Sequence, residues 1–270
     1  MINESAIIHP SVEIAEDVEI GPWAAIGPNV VIELGTKINS HVVIGENTII
    51  GKNNKIFSYA SVGSDPQHVG YTGEKTRLEI GDNNVIREFT TINRGTAEGR
   101  GVTKIGNKNY FMAYTHVAHD CVVGNGVVFA NTASIAGHVR VGDHVILGAF
   151  SGVHQNCCIG AYSFLGRAAK IYQDILPFML VTGNPGAPIG INSVGLKRHG
   201  FSCDTIRVLK MAFNLLHRRD VKLDDIRTEL EKLVLEASEV TMLVDAIDNS
   251  TRGLARSSRH HQDLEEPVEM

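Results

Sequence analysis

The sequence predicts a mainly β protein, in which a parallel β-helix of six-residue repeats is followed by a small C-terminal α-helical domain. Three observations lead to this prediction. Aliphatic residues recur every six positions through most of the chain up to Ile171. From Pro177 this pattern stops and a helical periodicity replaces it. The chain also contains 27 glycines, which suits a fold that needs many small residues at its corners.

The aliphatic residues form two long runs with a period of six. The first run is Ile8, Ile14, Ile20, Ile26, Ile32, Ile38, Ile44, Ile50, Ile56 and Val62, resuming in phase at Ile80, Ile86 and Ile92. The second is Ile105, Phe111, Val117, Val123, Phe129, Ile135, Val141, Leu147, Val153, Ile159, Leu165 and Ile171. Neither an α-helix nor a simple alternating strand has this period. Three hexads per triangular coil produce it, because each inward residue then stacks on the residue eighteen positions away.

The pattern also divides the chain into segments. We predict a β-helix over residues 1–183, with loops near 63–78 and 95–103 where the hexads are interrupted. Turn residues at 183–186 mark the end of this domain. Residues 184–256 are predicted to form the helical domain, since apolar residues there follow helical spacing, as in Ile206, Leu209 and Phe213. Residues 257–270 lose their apolar residues, and we expect a disordered tail.

Composition excludes several classes of protein. The net charge of −5 argues against nucleic acid or an anionic membrane as a partner. No apolar stretch approaches the roughly 18 residues of a membrane span, and the N-terminus lacks the features of a signal peptide. We therefore expect a cytoplasmic protein without integral membrane association. The four cysteines form no CxxC pair and support neither a metal site nor a disulfide. They are Cys121, Cys157, Cys158 and Cys203.

Four histidines flank three inward positions that are eighteen residues apart. The inward positions are Val117, Ile135 and Val153, and the histidines are His116, His119, His138 and His154. Consecutive coils lie roughly 4.8 Å apart, so these imidazoles should cluster on one face. Three interpretations are open: polar residues at exposed corners, a zinc site like that of the hexapeptide-repeat carbonic anhydrases, or acid–base catalysis.

Two neighbouring residues favour catalysis. Asp120 follows His119 directly, and a carboxylate near an imidazole can fix its tautomer and stabilise the imidazolium that forms when it accepts a proton. Gly137 precedes His138, and a residue without Cβ lets substrate approach a backbone N–H that could stabilise an oxyanion. An ordinary corner glycine would give the same sequence.

Five ordered motifs stand out in the sequence. They are His116-Val117-Ala118-His119-Asp120-Cys121, Ala136-Gly137-His138-Val139, Val153-His154-Gln155, Gly195-Leu196-Lys197-Arg198 with Gly200-Phe201-Ser202, and Ser250-Thr251-Arg252-Gly253-Leu254. With these motifs the chain resembles a known family over nearly its whole length, the UDP-N-acetylglucosamine 3-O-acyltransferases, which catalyse the first step of lipid A biosynthesis. The resemblance implies that the β-helix is left-handed, an exception to the usual hand of parallel crossovers.

The resemblance also implies roles for individual residues. His119 would be the general base on the glucosamine 3-hydroxyl, Asp120 would orient it, and Gly137 would donate the oxyanion N–H. The residues implied to bind the nucleotide sugar and the acyl chain are Gln67, His116, His138, His154, Gln155, Asn192 and Arg198. The sites would lie between subunits of a homotrimer, with no metal. No cofactor would be bound, the acyl group arriving on the phosphopantetheine arm of acyl carrier protein.

Some positions depart from the pattern of the family. His68 and Gly70 replace a carboxylate and a lysine associated with the sugar nucleotide, and Arg167 stands where a small or apolar residue commonly lines the acyl pocket. Pro185, Val194 and His199 replace the usual His, Glu and Arg. We therefore keep open a paralogue that uses another UDP-amino sugar or a shorter acyl donor, and a non-catalytic trimeric scaffold.

A group of basic residues lies at the helical end of this otherwise acidic protein. Since carrier proteins are acidic, we expect the group to steer the acyl carrier protein. The residues are Lys197, Arg198, Arg207, Lys210, Arg218 and Arg219.

Overall fold

The computed structural model describes residues 1–217 and 222–256. Arg218, Arg219 and the predicted tail at 257–270 lie outside the described residues. Most of the described chain consists of two-residue strands separated by turns, as the hexads predict. In chain order the strands are β1 (Ile7–Ile8), β2 (Glu13–Ile14), β3 (Glu19–Ile20), β4 (Ala25–Ile26), β5 (Val31–Ile32), β6 (Lys37–Ile38), β7 (Val43–Ile44), β8 (Thr48–Ile50), β9 (Lys55–Ile56), β10 (Ser61–Ser64), β11 (Arg77–Ile80), β12 (Val85–Ile86), β13 (Thr91–Asn93), β14 (Val102–Ile105), β15 (Tyr110–Phe111), β16 (His116–Val117), β17 (Val122–Val123), β18 (Val128–Phe129), β19 (Ser134–Ile135), β20 (Arg140–Val141), β21 (Ile146–Leu147), β22 (Gly152–Val153), β23 (Cys158–Ile159), β24 (Phe164–Leu165), β25 (Lys170–Ile171), β26 (Met179–Gly183) and β27 (Gly186–Ile191).

Three sheets form the sides of a β-helix, because each coil contributes one strand to each sheet. Sheet 1 has nine strands, running from β1 through every third strand to β25. Sheet 2 has eight strands, from β2 to β23, and sheet 3 has ten, from β3 to β24 and then β26 and β27. Neighbours pair in parallel with the register that the hexads predict, as when Val117 pairs with Ile135 and Ile135 with Val153.

The second residue of each two-residue strand points into the helix, and these residues form the core. Ile38, Ile86 and Ile135 are at most 2% exposed, and Phe111 and Phe129 stack with ring centroids 4.9 Å apart. Burial of a large aliphatic side chain contributes about 1.5–3 kcal/mol. The stacked core therefore stabilises every coil by contact with the coils on either side.

The turns at the corners place a non-glycine residue in the left-handed region of φ. Asp120 has φ +60° and His138 has φ +64°, at equivalent positions of successive coils. This conformation costs roughly 1–2 kcal/mol per residue. The backbone N–H of His138 donates to the carbonyl of His119, which links the two corners and holds the turn in place.

Two loops interrupt the coils, at residues 65–76 (the first loop) and 94–101 (the second loop). They lengthen the spacing between neighbouring strands, so that Val62 pairs with Ile92 and Ile92 with Val117. Both loops project beside the corner that carries His119. The six-residue pattern alone therefore locates both insertions, because they are the places where the period fails.

A buried arginine joins the two loops. The Arg94 side chain is 2% exposed and donates to the carbonyl of Gly63, to Asp65 and to the hydroxyl of Tyr71. It also forms an ion pair with Glu46 at 3.2 Å. A buried charge is tolerated only where such partners compensate it. Arg94 thereby fixes the base of the first loop against the second.

The predicted domain boundary at 183/184 is wrong in detail. The turn residues at 183–186 connect β26 to β27, which pair antiparallel and extend sheet 3. A turn signal by itself does not distinguish a hairpin from a domain boundary. Helical structure begins only at Ser193, with α1 (Ser193–Arg198), α2 (Cys203–Leu216), α3 (Leu223–Val234), a 3₁₀ helix (Ser238–Val240) and α4 (Thr241–Asp248).

After α4 the chain returns to the β-helix through residues 250–255, here called the strap. Asp174, which is 3% exposed, accepts hydrogen bonds from the Ser250 hydroxyl and from the N–H groups of Thr251 and Arg252. Its own N–H donates to the carbonyl of Gly253. The strap is therefore held against the last coils. No helix in the described part of the chain has the length and apolarity needed to cross a membrane.

Inward and outward residues of one strand should differ sharply in their effect on stability. We expect Ile38→Ala to lower the free energy of unfolding by about 2–5 kcal/mol, since it leaves a cavity in the stacked core. Its neighbour Lys37 points outward to an exposed ion pair with Glu19, so Lys37→Ala should change stability by less than about 1 kcal/mol. Denaturant titration of both variants makes the comparison, and equal losses would contradict the assigned register.

Candidate active site

A groove of about 600 Å³ runs along the outer face of sheet 1. It lies beside the corners that join this sheet to sheet 2. Six residues predicted from the sequence line it: Gln67, His116, His119, Gly137, His154 and Gln155. The structure thus brings together residues from three successive coils and from the first loop, as the eighteen-residue spacing predicts for the histidines.

The centre of the groove is a hydrogen-bonded histidine and aspartate. His119 Nδ1 lies 2.9 Å from Asp120 Oδ2, and the side chain of His119 is 12% exposed, whereas that of Asp120 is fully buried. Asp120 therefore holds Nδ1 of the imidazole, which leaves Nε2 as the ring nitrogen available to a ligand. This arrangement matches the orienting role proposed for Asp120, because the carboxylate selects the tautomer with the proton on Nδ1.

The second loop supplies the remaining partners of Asp120. Thr96 donates to Oδ2 through its hydroxyl at 2.6 Å and its N–H at 3.0 Å, while the Arg100 N–H donates to Oδ1 at 2.8 Å. Burial acts to raise the pKa of Asp120, yet the hydrogen bonds from Thr96, His119 and Arg100 outweigh it and lower the pKa below its ordinary value. Asp120 is therefore ionised at neutral pH.

Gly137 lies directly against the ring of His119. A Cβ at position 137 would stand 2.6 Å from His119 Cε1 and 2.7 Å from Nε2, closer than real contacts allow. The N–H of Gly137 donates to no acceptor among the described residues. A residue without Cβ is thus required for the position of His119, and its N–H is available to a ligand beside the imidazole.

Two further histidines surround His119. His138 packs edge-on against it, with ring centroids 5.1 Å apart, and His116 Nδ1 bonds the Thr91 hydroxyl at 2.7 Å. Burial lowers the pKa of both His116 and His138; the nearby His119 adds to this effect, while the charge of Asp120 partly opposes it at His138. Both side chains are therefore neutral at neutral pH. His138 touches His119 without lining the groove itself.

The first loop adds His68, one of the departures from the family pattern. Its ring meets that of His119 edge to face, with centroids 5.3 Å apart, and it lines the groove beside Gln67. An imidazole therefore occupies the region where the resemblance places a carboxylate. The loop that carries it is held by Arg94.

Three predicted site residues lie outside the groove of their own chain. Asn192 caps α1, accepting from the Gly195 N–H at 3.0 Å and donating to the carbonyl of Tyr162, at the corner between sheets 2 and 3. Arg198 is exposed at the end of α1. Arg167 lies at the corner between sheets 3 and 1, its guanidinium 5.6 Å from the centroid of the Phe150 ring.

Sequence reasoning missed four contributors to the site. Thr96 and Arg100 bind Asp120 from the second loop, Lys170 lines the groove, and Arg252 Nη2 lies 3.3 Å from His154 Nδ1. Lys170 stands eighteen residues after Gly152 in sheet 1, so the repeat itself could have located it. Arg252 belongs to a motif of the resemblance, but nothing in the spacing indicates its contact with His154.

His119, Asp120 and His138 also form the one group in the described chain whose ligand atoms could hold a metal ion. One such atom from each lies within 4.8 Å of the others. Both oxygens of Asp120 already accept hydrogen bonds from Thr96, Arg100 and His119, however, and Asp120 is buried. A metal would have to displace these donors, so the donor set fits proton transfer better than zinc binding.

Known proteins show strong similarity along nearly the whole chain. The protein named acyl-[acyl-carrier-protein]--UDP-N-acetylglucosamine O-acyltransferase of Alkalilimnicola ehrlichii is 56% identical over 255 residues, covering 94% of this chain and 99% of the relative. Its counterpart in Thiobacillus denitrificans is 53% identical with the same coverage. The chain belongs to the UDP-N-acetylglucosamine O-acyltransferase family. Within that family, residues 174–255 match the model described as UDP N-acetylglucosamine O-acyltransferase, domain 2, and residues 103–137 match the bacterial transferase hexapeptide repeats.

Solved structures of the family share the fold. The Francisella novicida UDP-N-acetylglucosamine acyltransferase superimposes with a TM-score of 0.93 at 40% identity, covering 96% of this chain and 95% of that chain. The Moraxella catarrhalis enzyme gives 0.92 at 46% identity, covering 94% and 99%. The predicted left-handed parallel β-helix with a C-terminal helical domain is therefore confirmed.

The ionised state of Asp120 should appear in the pH dependence of stability. Because folding lowers the pKa of Asp120 below 3.8, its contribution is present above that pH and is lost as the pH falls through the folded-state pKa. We expect the difference in free energy of unfolding between wild type and Asp120→Asn, measured by denaturant titration, to become smaller as the pH falls below 3.8. Asp225→Asn, at an exposed residue in the first turn of α3, is the control. A difference that stays constant with pH would contradict the ionised, hydrogen-bonded state.

Proposed function

We propose that this protein transfers an acyl chain, commonly a 3-hydroxyacyl chain in the family, from acyl carrier protein to the 3-hydroxyl of UDP-N-acetylglucosamine, the first step of lipid A biosynthesis. The observation that carries the proposal is the His119–Asp120 pair in the groove, with Nε2 of His119 available beside the N–H of Gly137. Relatives that are 53% and 56% identical over 94% of this chain are named acyl-[acyl-carrier-protein]--UDP-N-acetylglucosamine O-acyltransferase.

The geometry supports general-base catalysis. Nε2 of His119 removes the proton of the sugar 3-hydroxyl as its oxygen attacks the thioester carbonyl, and Asp120 stabilises the imidazolium that results. The carbonyl oxygen becomes an oxyanion, to which the Gly137 N–H donates. When the tetrahedral intermediate collapses, the C–S bond breaks and the thiolate of the carrier arm receives the proton from His119. The products are an ester and a free thiol.

The remaining residues of the groove bind the substrates in this proposal. Gln67, His116, His154 and Gln155 line the groove with His119 and offer both donors and acceptors to the sugar nucleotide and the acyl chain, while His138, which packs against His119 behind the lining, is the fifth residue assigned to this role. The neutral states of His116 and His138 allow each ring to donate from one nitrogen and accept at the other. No resident cofactor takes part, and the cytoplasm as the compartment stays a prediction.

A homotrimer would complete the site. The groove is open in the single chain, and Asn192 and Arg198 lie near the corner between sheets 2 and 3, away from the corner that carries His119. In a trimer, the helical end of one subunit would bring these two residues to the groove of its neighbour. The side-chain amide of Asn192 already caps α1 and donates to Tyr162. The helical end could therefore offer the neighbouring groove the second lone pair of the Asn192 amide oxygen and the guanidinium of Arg198.

In this proposal, acyl carrier protein binds the basic surface at the end of the helical domain. Lys197 and Arg198 end α1, while Arg207 and Lys210 lie on α2 and are exposed. Arg207 is 3.9 Å from Asp204, an exposed pair that contributes little. The surface therefore keeps a positive field that attracts an acidic carrier protein.

The alternative kept open from the sequence, acylation of a different UDP-amino sugar, is not favoured by the relatives, which are named for UDP-N-acetylglucosamine, and one local difference gives it a direct test. His68 contacts the ring of His119 in the region where the family pattern has a carboxylate, and Gly70 removes the lysine nearby. A sugar that needs no carboxylate partner would fit this region. A series of UDP-amino sugars offered to the enzyme, with products identified by mass, distinguishes the two acceptors.

Removal of the general base should abolish turnover. We expect His119→Ala to lower kcat by roughly 10²–10⁴, because no other side chain replaces Nε2 beside Gly137. The assay combines UDP-N-acetylglucosamine with acyl carrier proteins of increasing chain length and measures the product by mass. His9→Ala is the control, since His9 is exposed on the first coil. Near-normal turnover of His119→Ala would rule out the mechanism.

Arg167 should restrict the acyl chain to short chains or to chains with a polar group. An aliphatic chain gains about 0.8 kcal/mol per buried CH₂, but a guanidinium in its path blocks it or must be desolvated. Arg167 rests over Phe150, so a long chain would have to displace it. We expect Arg167→Gly to shift the preference toward longer donors in competition assays with mixed acyl carrier proteins. An unchanged preference, with normal turnover, would exclude Arg167 from the acyl pocket.

A further inference from the structure

The groove continues beyond the histidines toward the C-terminal coils. Along the outer face of sheet 1 the positions equivalent to His116 are Ser134, Gly152 and Lys170, each paired with the next. Lys170 and the exposed Tyr172 line this end of the groove together with His154. Three coil steps of roughly 4.8 Å separate His116 from Lys170, so the two residues can contact different parts of one elongated ligand.

Lys170 carries an ammonium group without a charged partner. Its Nζ donates to the backbone carbonyl of Phe150 at 3.1 Å, and no carboxylate in the described chain forms an ion pair with it. One neutral carbonyl satisfies only one of the three N–H groups of a lysine. The glycine at position 152 leaves room for the side chain, since a Cβ there would stand 3.2 Å from Nζ.

The strap places a second cation beside the same end of the groove. Arg252 Nη2 lies 3.3 Å from His154 Nδ1, while the backbone N–H of Arg252 donates to the buried Asp174. Asp174 therefore fixes the backbone of the strap and leaves the guanidinium without a carboxylate among the described residues. The backbone of Arg252 is thus held by Asp174, and its guanidinium charge stays available to a ligand.

The charged side chains that line the groove are of one sign, since the ionised Asp120 is buried behind His119 and is not part of the lining. Among the residues that line it there is no aspartate and no glutamate, whereas Lys170 lines it and Arg252 contacts its wall at His154. A groove with cations and no carboxylates attracts anions, and phosphate is the anion that ammonium and guanidinium groups bind in charge-assisted hydrogen bonds.

We propose that Lys170 and Arg252, on either side of His154, form a phosphate subsite at the C-terminal end of the groove. This inference rests on the proposed function, whose two substrates both carry phosphate. The phosphate belongs to the diphosphate of the sugar nucleotide or to the phosphodiester of the carrier arm. The subsite positions that substrate so that its reacting group reaches His119.

The test uses binding as well as turnover. Lys170→Met keeps the length of the side chain and removes its charge, and Lys170→Arg keeps the charge. Lys55→Met, at an exposed lysine on an N-terminal coil of sheet 3, is the matched control. Titration calorimetry with UDP and with uridine separates phosphate binding from binding of the nucleoside, and steady-state kinetics give the KM for acyl carrier protein at saturating UDP-N-acetylglucosamine.

If the diphosphate occupies the subsite, Lys170→Met raises the Kd for UDP about tenfold and leaves that for uridine unchanged. If the carrier arm occupies it, the Kd for UDP stays constant and the KM for acyl carrier protein rises by about the same factor. Lys170→Arg restores either value, and Arg252→Gln reproduces the loss. The proposal is overturned if Lys170→Met changes neither quantity, or changes both no more than Lys55→Met does.

The two proposals fail separately in this design. Absence of acyl transfer by the wild-type protein would refute the proposed function. UDP titration would still report on the subsite, because it needs no turnover. Normal transfer by wild type with an unaffected Lys170→Met variant would refute only the subsite.

Discussion

Every feature of this protein depends on the backbone hydrogen bonds that hold each coil on the next with a fixed register. Val117, Ile135 and Val153 stack because the strands that carry them pair in parallel without a shift. The same register repeats each outward position roughly every 4.8 Å. A side chain's neighbours are therefore decided by its position in the hexad, and residues that are distant in sequence meet in the groove as a result of the repeat itself.

The regular coils alone would leave His119 without its partners. The second loop supplies Thr96 and Arg100 to Asp120, and the first loop brings His68 to the ring of His119. Arg94 joins the two loops at their base. The repeat thus sets the position of His119, and the two loops supply the side chains and N–H groups that contact His119 and Asp120. This division follows from physics, because a strictly periodic surface offers the same surroundings to every corner.

The same division explains what the sequence could predict. The core and the histidine cluster follow from the period, so Ile38 and His119 could be placed from numbering alone. The contacts of Thr96 and Arg252 could not be predicted, since the loops and the strap have no sequence period. Their positions are set by hydrogen bonds to Asp120 and Asp174. The boundary at 183/184 was wrong because the same turn residues begin a hairpin as readily as a linker.

The surroundings of His119 allow its ring to accept a proton and release it again. When His119 accepts a proton, the new positive charge lies 2.9 Å from the ionised Asp120 and in ring contact with His138. A charged neighbour would oppose that step, but burial lowers the pKa of His116 and His138 and keeps both neutral. The buried carboxylate can therefore stabilise one imidazolium, and the arrangement directs it to the ring that adjoins Gly137. Among the described histidines of this cluster only His119 is hydrogen-bonded to a carboxylate, which makes its ring the candidate base.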